Sequence, residues 1–385
     1  SNNAESIIGN ASKTLLQYGR KNILLSGTTN NGYASNLYNI FSGLIPRKLQ
    51  DHNVMDIKDF VRQYGTLQAI NKRKDGEYYK YGRSQIRESD FKEIEGINPQ
   101  VFTKYMVQNY IFATLDDLGK DLPPIYEYYV PIQQNEDIVQ SANKIFNDIE
   151  RANAFNAKMY EDSIIKHYVN NPFSWDSIHV EGTENTSSVD ISPDKYNNDI
   201  ILPKEEKLLE IVKKEYSESR KVWIYCDFNN GGEYMNDESL PNRLQRMLKE
   251  NGFKIFQLKP SVKTYDRKEV IDKNKDDYDV FISNMKLVEV GINMVFCPTY
   301  IYYMPSYFIN SVSQSSRRGM RANSTMENRI YHLYYENTLE NKIMKRYERK
   351  AAESKAIVGR FDVVIENDKD IRTISKMANK INSSL

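Results

Sequence analysis

The stretch KVWIYCDFNNGGEYMNDESLPNRLQRMLKENGFKIFQL, residues 221–258, decides the fold class of this chain. It begins with a short apolar run at 221–228, continues with a helical pattern at 240–252 and ends with a second apolar run at 253–258. Short apolar strands separated by a helix are typical of a parallel sheet, because the helix returns the chain to the edge where the next strand starts. The stretch therefore predicts one strand–helix–strand unit of an α/β fold.

The same alternation extends along the chain in both directions. Further helices are expected at 203–219, 265–276, 307–322 and 338–354, and further strands at 278–284, 299–304 and 328–335. We therefore expect a parallel sheet with flanking helices on both faces. Ligands bind such sheets at the carboxyl ends of the strands, so functional residues are expected in the segments that follow the strands.

The N-terminal half has a less regular pattern. The run KNILLS at 21–26 predicts a short buried strand that ends in a turn, and apolar residues at 3–4 spacing predict a helix at 34–44. The other expected elements are a mostly helical, irregular stretch at 51–120, a strand at 121–132, a long helical stretch at 135–170 and a polar linker at 171–200. The linker is the favoured domain boundary, because turn-forming residues are concentrated there.

The composition limits the classes of function. The 385 residues have a net charge of +1, so a site for a polyanion must come from local clustering of basic residues. The length favours two domains. Cys226 and Cys297 lie in hydrophobic runs and are expected to be buried, reduced thiols of a cytoplasmic protein rather than zinc ligands. Pro298 and Pro305 interrupt the most apolar stretch, which argues against a membrane helix.

A cluster of arginines, QSSRRGMRA at 314–322, follows a long run without charged residues. In a helix over 307–322, Gln314, Arg318 and Arg321 would share one face at i, i+4 and i+7, and Arg317 would point elsewhere. Guanidinium groups stacked in this way suit a phosphate, but a solvated surface helix has the same spacing. Gly291, between a strand and the charge-free run, allows a ligand to approach the backbone closely.

The order of several motifs resembles the SNF2-type branch of superfamily 2 helicases and translocases, most closely the large helicases of bacteriophages and mobile elements. The resembling stretches are ILLSGTTNNGYASNLYNIFSGLIP at 23–46 (motif III), DLPPIYEYYVPI at 121–132 (the strand that closes the first lobe), VWIYCDF at 222–228 (motif IV), FISNMKLVEVGINM at 281–294 (motif V), QSSRRGMR at 314–321 (motif VI) and NTLENKI at 337–343. The resemblance implies a RecA-like helicase lobe, together with a partial first lobe that has a mostly helical insertion.

The resemblance also implies roles for residues around a nucleotide. Arg318 and Arg321 match the arginines that reach the γ-phosphate of ATP and stabilise the charge on the transferred phosphoryl group. Gln314 matches the polar residue of the same helix. Gly291 and Asn293 match the loop that lies between nucleotide and nucleic acid. Val288-Glu289 stand where the family usually has Gly-Gly in that loop, so the resemblance is to a divergent form of the family.

Other implied roles concern coupling and the nucleic acid. Motif III is matched by Ser26, Gly27 and Thr28, which would couple hydrolysis to movement of the lobes. The positions that touch a nucleic-acid backbone in the family are occupied here by Ser283, Asn284 and Lys286. Such contacts are made mainly to phosphates and do not depend on base sequence. The implied polymer is DNA.

The sequence contains no Gly-x-x-x-x-Gly-Lys-Ser/Thr and no Asp-Glu-x-His run before residue 23. These motifs hold the phosphates and Mg²⁺, so they are expected in a missing N-terminal RecA-like lobe of a longer enzyme, and this part alone is expected to be inactive. The implied organisation is a tail of the first lobe at 1–50, an insertion at 51–120, a closing strand, helix and linker at 121–200, a second lobe at 201–360 and a tail at 361–385.

Two other readings of the sequence stay open. A degenerate RecA-like module could bind nucleic acid or a partner without hydrolysing ATP, and a nucleotide-binding α/β domain of unrelated use is the third reading. The remaining unusual residues favour ordinary roles: the four histidines show no metal-ligand spacing, and many of the 28 tyrosines fall in strands that are expected to be buried.

Overall fold

The computed structural model describes residues 7–19, 21–25, 33–69, 91–111, 123–153, 157–173, 175–182, 186–227, 239–288, 292–321 and 323–357. The chain divides into two compact units, one formed by Ser1–Ala113 with Lys350–Phe361 and the other by Thr114–Arg349 with Asp362–Leu385. None of the described helices has the length and apolar character needed to cross a membrane.

The first unit contains short helices and one pair of strands. Its elements are α1 (Ile7–Tyr18), α2 (Ala34–Leu44), α3 (Pro46–Asp51), α4 (Ile57–Tyr64), β1 (Gly65–Ala69), β2 (Phe91–Ile97) and a π-helical turn (Phe102–Met106). Strands β1 and β2 are antiparallel. An aromatic cluster forms the core, in which Phe41 stacks on Tyr105 at 5.3 Å between ring centroids and meets Phe60 edge-on at 5.9 Å.

The prediction of the helix at 34–44 is confirmed by α2, and the prediction of a strand at 21–26 is wrong over its described residues. Residues 21–25 are exposed and form no strand, and Leu25 is 92% exposed. A strand requires a hydrogen-bonded neighbour, and no described strand pairs with this segment. Ser26, Gly27 and Thr28 of the motif III prediction lie outside the described residues.

The second unit is an α/β domain with a six-stranded parallel sheet in the order β3-β10-β9-β6-β8-β7. The strands of this sheet are β3 (Ile125–Ile132), β6 (Val222–Tyr225), β7 (Ile255–Gln257), β8 (Val280–Ser283), β9 (Thr299–Tyr302) and β10 (Asn328–Tyr335). The helices are α5 (Glu136–Asn153), α6 (Ala157–Tyr160), α7 (Lys166–Tyr168), α8 (Pro203–Ser217), α9 (Leu240–Glu250), α10 (Arg267–Asn274), α11 (Ile309–Ser316) and α12 (Leu339–Ile357), with a π-helical turn at Glu161–Ile165 and a 3₁₀ turn at Met285–Leu287. The predicted alternation after residue 201 is confirmed.

Apolar side chains cover both faces of the central strands. Every residue of β6, β8 and β9 is buried, because helices pack on each side of the sheet. Trp223 stacks on Phe281 at 5.0 Å on one face, and Ile224 packs with Ile282 on the other. The prediction that the strand tyrosines are core residues is confirmed by Tyr302, Tyr303 and Tyr335, which are buried.

The strand at 125–132 does not close a separate first-lobe sheet, contrary to the expectation from the sequence. Strand β3 pairs in parallel with β10 along its whole length, from Ile125 opposite Asn328 to Ile132 opposite Tyr335. Tyr128 stacks on Tyr331 at 4.8 Å across the pair. Hydrogen bonds and side-chain packing therefore place β3 in the sheet of the second unit.

The polar stretch at 171–200 is also not a domain boundary. It contains the antiparallel strands β4 (Ile178–Val180) and β5 (Val189–Ile191), whose apolar side chains enter the core formed with α5. Trp175 is buried in the same core and donates a hydrogen bond from Nε1 to the Asn171 carbonyl at 2.8 Å. The stretch looks polar because most of its residues are at the surface, and the few apolar side chains that point into the core do not change its average composition.

Two buried ionic groups join distant parts of the unit. Glu215 accepts hydrogen bonds from Arg220 Nε, Thr299 Oγ1 and Tyr331 Oη, each at 2.7 Å, and from Arg329 Nη1 at 3.0 Å. Burial raises the pKa of Glu215, but the hydrogen bonds from Thr299, Tyr331 and Arg329 outweigh burial and hold it below the ordinary value. This carboxylate therefore ties α8 to the amino ends of β9 and β10.

The second group is a fully buried Lys204–Glu340 pair, with 2.5 Å between Nζ and Oε2. Asn170 Oδ1 accepts a further hydrogen bond from Lys204 at 2.8 Å, and the ammonium lies 4.1 Å from the centroid of the Tyr335 ring. Burial lowers the pKa of Lys204 to about 8, although Glu340 opposes the shift. The pair joins the start of α8 to the start of α12.

Candidate nucleotide and nucleic-acid site

Along the chain, the predicted site residues of the second unit lie at or after the carboxyl ends of β8 and β9. In a parallel sheet these ends meet at one edge, which is the usual place for a ligand. Strand β6 ends at Tyr225, β8 at Ser283 and β9 at Tyr302, and the three are neighbours in the sheet.

Ser283 supports the sheet and does not face a ligand. Its side chain is fully buried, and its Oγ accepts a hydrogen bond from Trp223 Nε1 at 2.8 Å. A phosphate of a nucleic-acid backbone has no access to this hydroxyl in the observed conformation. We therefore correct the predicted nucleic-acid contact of Ser283 to a packing role.

Asn284 and Lys286 form an ordered turn at the edge. Asn284 Oδ1 accepts a hydrogen bond from the Lys286 backbone N–H at 2.9 Å and so caps the 3₁₀ turn at Met285–Leu287. Lys286 is exposed, and its Nζ lies 4.9 Å from the centroid of the Phe308 ring. Asn284 therefore orients the turn, and Lys286 presents a positive charge to solvent.

The segment after this turn is linked to the arginine cluster. Asn293 is exposed and accepts a hydrogen bond on Oδ1 from the Val295 N–H at 3.3 Å. The buried Met294 donates its backbone N–H to the Arg318 carbonyl at 3.1 Å. Gly291 lies outside the described residues. This backbone hydrogen bond brings the segment that contains Asn293 next to Arg318.

Helix α11 is shorter than predicted and does not place the arginines on one helix face. It ends at Ser316, with Arg317 as its C-cap. The Arg318 N–H then donates to the carbonyl three residues back, that of Ser315, at 3.4 Å, as in a 3₁₀ turn. Gln314 is therefore on the helix, whereas Arg318 and Arg321 are in the turn that follows. The predicted i, i+4, i+7 arrangement is wrong.

The helix ends early because its residues favour local alternatives. Ser315 Oγ donates back to the Ser311 carbonyl at 2.7 Å, and serine has a lower helix propensity than alanine or leucine. Gly319 then packs closely against the sheet: a Cβ at this position would lie 2.5 Å from the Tyr300 hydroxyl oxygen. Only glycine permits this approach without a shift of the surroundings.

The arginine turn is ordered by Ser324. Ser324 Oγ donates to the Gly319 carbonyl at 2.7 Å and accepts from the Arg321 N–H at 2.8 Å. The side chains of Arg317 and Arg321 are exposed and that of Arg318 is half-buried. The turn, which leads from the end of α11 towards the amino end of β10, therefore holds three guanidinium groups with different degrees of exposure.

Buried tyrosines donate hydrogen bonds to the backbone of α11, the helix that precedes the arginine turn. Tyr302 donates its hydroxyl to the Val312 carbonyl at 2.9 Å, and Tyr225 donates to the Ser315 carbonyl at 3.4 Å. Burial, followed by the neighbouring tyrosines, raises the pKa of Tyr225 well above its ordinary value, and the charge of Arg318 opposes that shift. Tyr225 therefore stays neutral and lies within electrostatic range of Arg318.

One polar cluster at the carboxyl edge of the sheet is not evident from the sequence. Asp227, which follows β6, accepts a hydrogen bond from Lys166 Nζ at 3.0 Å. Burial lowers the pKa of the adjacent His167 to about 4, and Asp227 opposes this shift. Lys166 and Asp227 are 61 positions apart, so no spacing rule could pair them. Among the described residues there is no group of three metal-ligating side chains.

Comparison with known proteins gives a partial match. Residues 203–323 match a family model described as "Helicase conserved C-terminal domain". A solved structure described as "Crystal structure of the C-terminal part of Fun30 ATPase domain" aligns with a TM-score of 0.46 and 17% identity, over 61% of this chain and 97% of the other. No curated protein matches the chain. The family match covers β6 to β9 and the arginine turn, and residues 203–323 are accordingly similar to the conserved C-terminal domain of helicases.

Proposed function

We propose that the chain is the C-terminal part of an ATP-dependent nucleic-acid helicase or translocase that acts on DNA. The observation on which this proposal rests is the helicase-type domain at 203–323, which contains both the arginine turn and the exposed Lys286. An affinity with the large helicases of bacteriophages and mobile elements is part of the proposal and rests on the order of the motifs.

The arginine turn is proposed to serve the nucleotide. Arg318 and Arg321 would bind the γ-phosphate of ATP, with Gln314, Gly291 and Asn293 near the same ligand. The hydrogen bond from Met294 to Arg318 supports this assignment, because it couples the turn to the segment that contains Asn293. Planar guanidinium groups suit phosphate oxygens and stabilise charge that develops during phosphoryl transfer.

The lysine turn is proposed to serve the nucleic acid. Lys286 is exposed next to the sheet edge, and Asn284 orders the backbone that carries it. Such a side chain suits a backbone phosphate, which is contacted without regard to base sequence. Ser283 has no part in this contact.

Two elements of the activity are proposed to come from a first lobe of the parent protein. The phosphate-binding loop and the acidic pair that holds Mg²⁺ have no counterpart in the sequence, so the 385-residue chain alone is expected not to hydrolyse ATP. Ser26, Gly27 and Thr28 would couple hydrolysis to movement of the lobes.

Salt-dependent binding tests the proposal. A fluorescent oligonucleotide is titrated with the chain at about 50 and 200 mM salt, and the affinity is expected to fall at least about tenfold, since binding to phosphates releases counterions. Lys286→Ala is expected to reduce the slope of log K against log salt by about 1. Lys213→Ala, an exposed lysine on α8, is the matched control and should leave the slope unchanged. Affinity that does not depend on salt would contradict the proposal.

A further inference from the structure

Exposed aromatic rings are concentrated at the functional edge of the sheet. Within the described residues of 123–349 three aromatic side chains are largely exposed: Tyr216 at 52%, Tyr265 at 74% and Phe308 at 59%. Tyr265 follows β7 and Phe308 follows β9, so both lie at the carboxyl edge. Tyr216 is near the end of α8, which leads into β6, and so lies at the opposite edge.

Each of the two rings at the carboxyl edge has a lysine beside it. Lys263 Nζ is 5.7 Å from the centroid of Tyr265, and Lys286 Nζ is 4.9 Å from the centroid of Phe308. Both lysines are exposed. A cation–π contact in water stabilises a fold only weakly, so it does not account for holding the rings in solvent. A flat ring beside a cation does offer stacking to a base and charge to the adjoining phosphate.

The two rings are presented by ordered backbone. The Phe308 N–H donates to Ser306 Oγ at 3.1 Å, and the preceding Tyr307 is anchored through its hydroxyl, which donates to Asp162 Oδ1 at 2.9 Å. Tyr265 lies in a turn that the Asp266 N–H closes on the Lys263 carbonyl at 3.0 Å. Because these loops are already ordered, binding a ligand to the exposed rings costs little further conformational entropy.

Arg267 joins the loops that carry the two pairs. Its Nε donates to the Val262 carbonyl at 3.1 Å, and its Nη1 donates to the Leu287 carbonyl at 3.2 Å. Val262 is adjacent to Lys263 and Leu287 to Lys286, so one guanidinium group spans the gap between the lysine-bearing segments. The aromatic–lysine pairs therefore belong to one continuous surface that crosses the ends of β7, β8, β6 and β9.

We propose that this surface is a track for a single strand of nucleic acid. Bases stack on Tyr265 and Phe308, and Lys263 and Lys286 hold the intervening phosphates. The strand is single because paired bases are stacked on each other and cannot lie flat on a protein ring. The inference rests on the proposed function, and it adds the form of the substrate and residues that no motif identifies.

Abasic oligonucleotides separate stacking from phosphate contact. The full chain is titrated with fluorescein-labelled oligo(dT) of about 20 nucleotides and with an abasic strand of equal length, which has the same phosphates. The wild type is expected to bind oligo(dT) about tenfold or more tightly than the abasic strand. The double variant Tyr265→Ala/Phe308→Ala should lose this preference and keep the abasic affinity, whereas Tyr265→Phe/Phe308→Tyr should keep both.

Tyr216→Ala is the matched control and should retain the preference, because its ring lies at the other edge. Equal binding of oligo(dT) and the abasic strand by the wild type would overturn the proposal that bases stack on this track, even if both strands bind in a salt-dependent manner. Tighter binding of duplex DNA, unchanged in the double variant, would overturn it as well. If the wild type binds none of these polymers at any salt concentration, the proposed function fails and the track fails with it.

Discussion

At the scale of single residues, stability depends on charges that are buried as complete groups. Lys204 is enclosed by Glu340 and Asn170, and all three side chains are buried. Removal of one partner from a buried ion pair leaves an uncompensated charge, which destabilises a fold far more than the loss of an exposed pair.

Glu340→Gln is expected to lower the free energy of unfolding by about 3 kcal/mol or more, because the amide keeps the volume but not the charge that balances Lys204. Urea unfolding followed by circular dichroism measures the change. Glu269→Gln, in the exposed pair of Glu269 with Lys273, is the control and should show no measurable change. An equal unfolding midpoint for Glu340→Gln and wild type would contradict the role of the buried pair.

His167 is expected to make stability depend on pH below neutrality. Burial lowers its pKa to about 4 in the folded state, against an ordinary value of 6.5, so between these values the unfolded chain binds a proton that the folded chain does not. The stabilisation is present above pH 6.5 and is lost as the pH falls towards 4. It amounts to about 1–2 kcal/mol, allowing for the partial exposure of the ring. His167→Gln should flatten the unfolding profile between pH 7 and 4.5, and an unchanged profile would refute this.

At the scale of elements, the position of the arginines depends on where α11 ends. Gly319 allows the chain to turn against Tyr300 directly after the helix. Gly319→Ala is expected to lower the free energy of unfolding by about 1–3 kcal/mol, since the added methyl group overpacks the contact with the Tyr300 hydroxyl. Adding Tyr300→Phe removes the oxygen concerned and should restore most of the loss. Urea unfolding of the two variants measures this, and equal destabilisation in both would exclude the proposed contact.

The sequence predicts the elements of the sheet well and the details of the site less well. Helix α2 and the strands β6 to β10 could be predicted because their apolar periodicity is local. The end of α11 could be predicted only in part, because the serines that favour it are local, whereas the contact of Gly319 with Tyr300 joins residues 19 positions apart. The pairing of Lys166 with Asp227 and the linking role of Arg267 also depend on tertiary neighbours that periodicity does not reveal.

At the scale of the whole molecule, the second unit needs the residues that precede 201. Strand β3 covers β10, and α5 to β5 add a core of their own, although the sequence pattern favoured a boundary at 171–200. The cause of this error is that polarity marks exposed surface, whereas a boundary requires that few contacts cross it. The motif order predicted a second lobe at 201–360, of which residues 203–323 match the helicase C-terminal domain, but it assigned β3 to the first lobe, whereas β3 pairs with β10.

A fragment of residues 114–357 is therefore expected to unfold cooperatively in urea. A fragment of residues 201–360 should not, since it exposes the edge of β10 and the apolar faces that β3 and α5 cover. Circular dichroism and the sharpness of the urea transition distinguish the two. Cooperative unfolding of the shorter fragment with equal stability would show that β3 is dispensable.

ATP hydrolysis by the parent protein with substituted arginines is the direct test of the role proposed for the arginine turn. Arg318→Ala and Arg321→Ala are each expected to lower kcat by about 10³-fold or more, because an arginine finger acts on the charge of the transferred phosphoryl group. Arg317→Ala is the matched control, since Arg317 is the exposed C-cap of α11 in the same segment, and it should keep near wild-type kcat. Wild-type hydrolysis by both Arg318→Ala and Arg321→Ala would contradict the account.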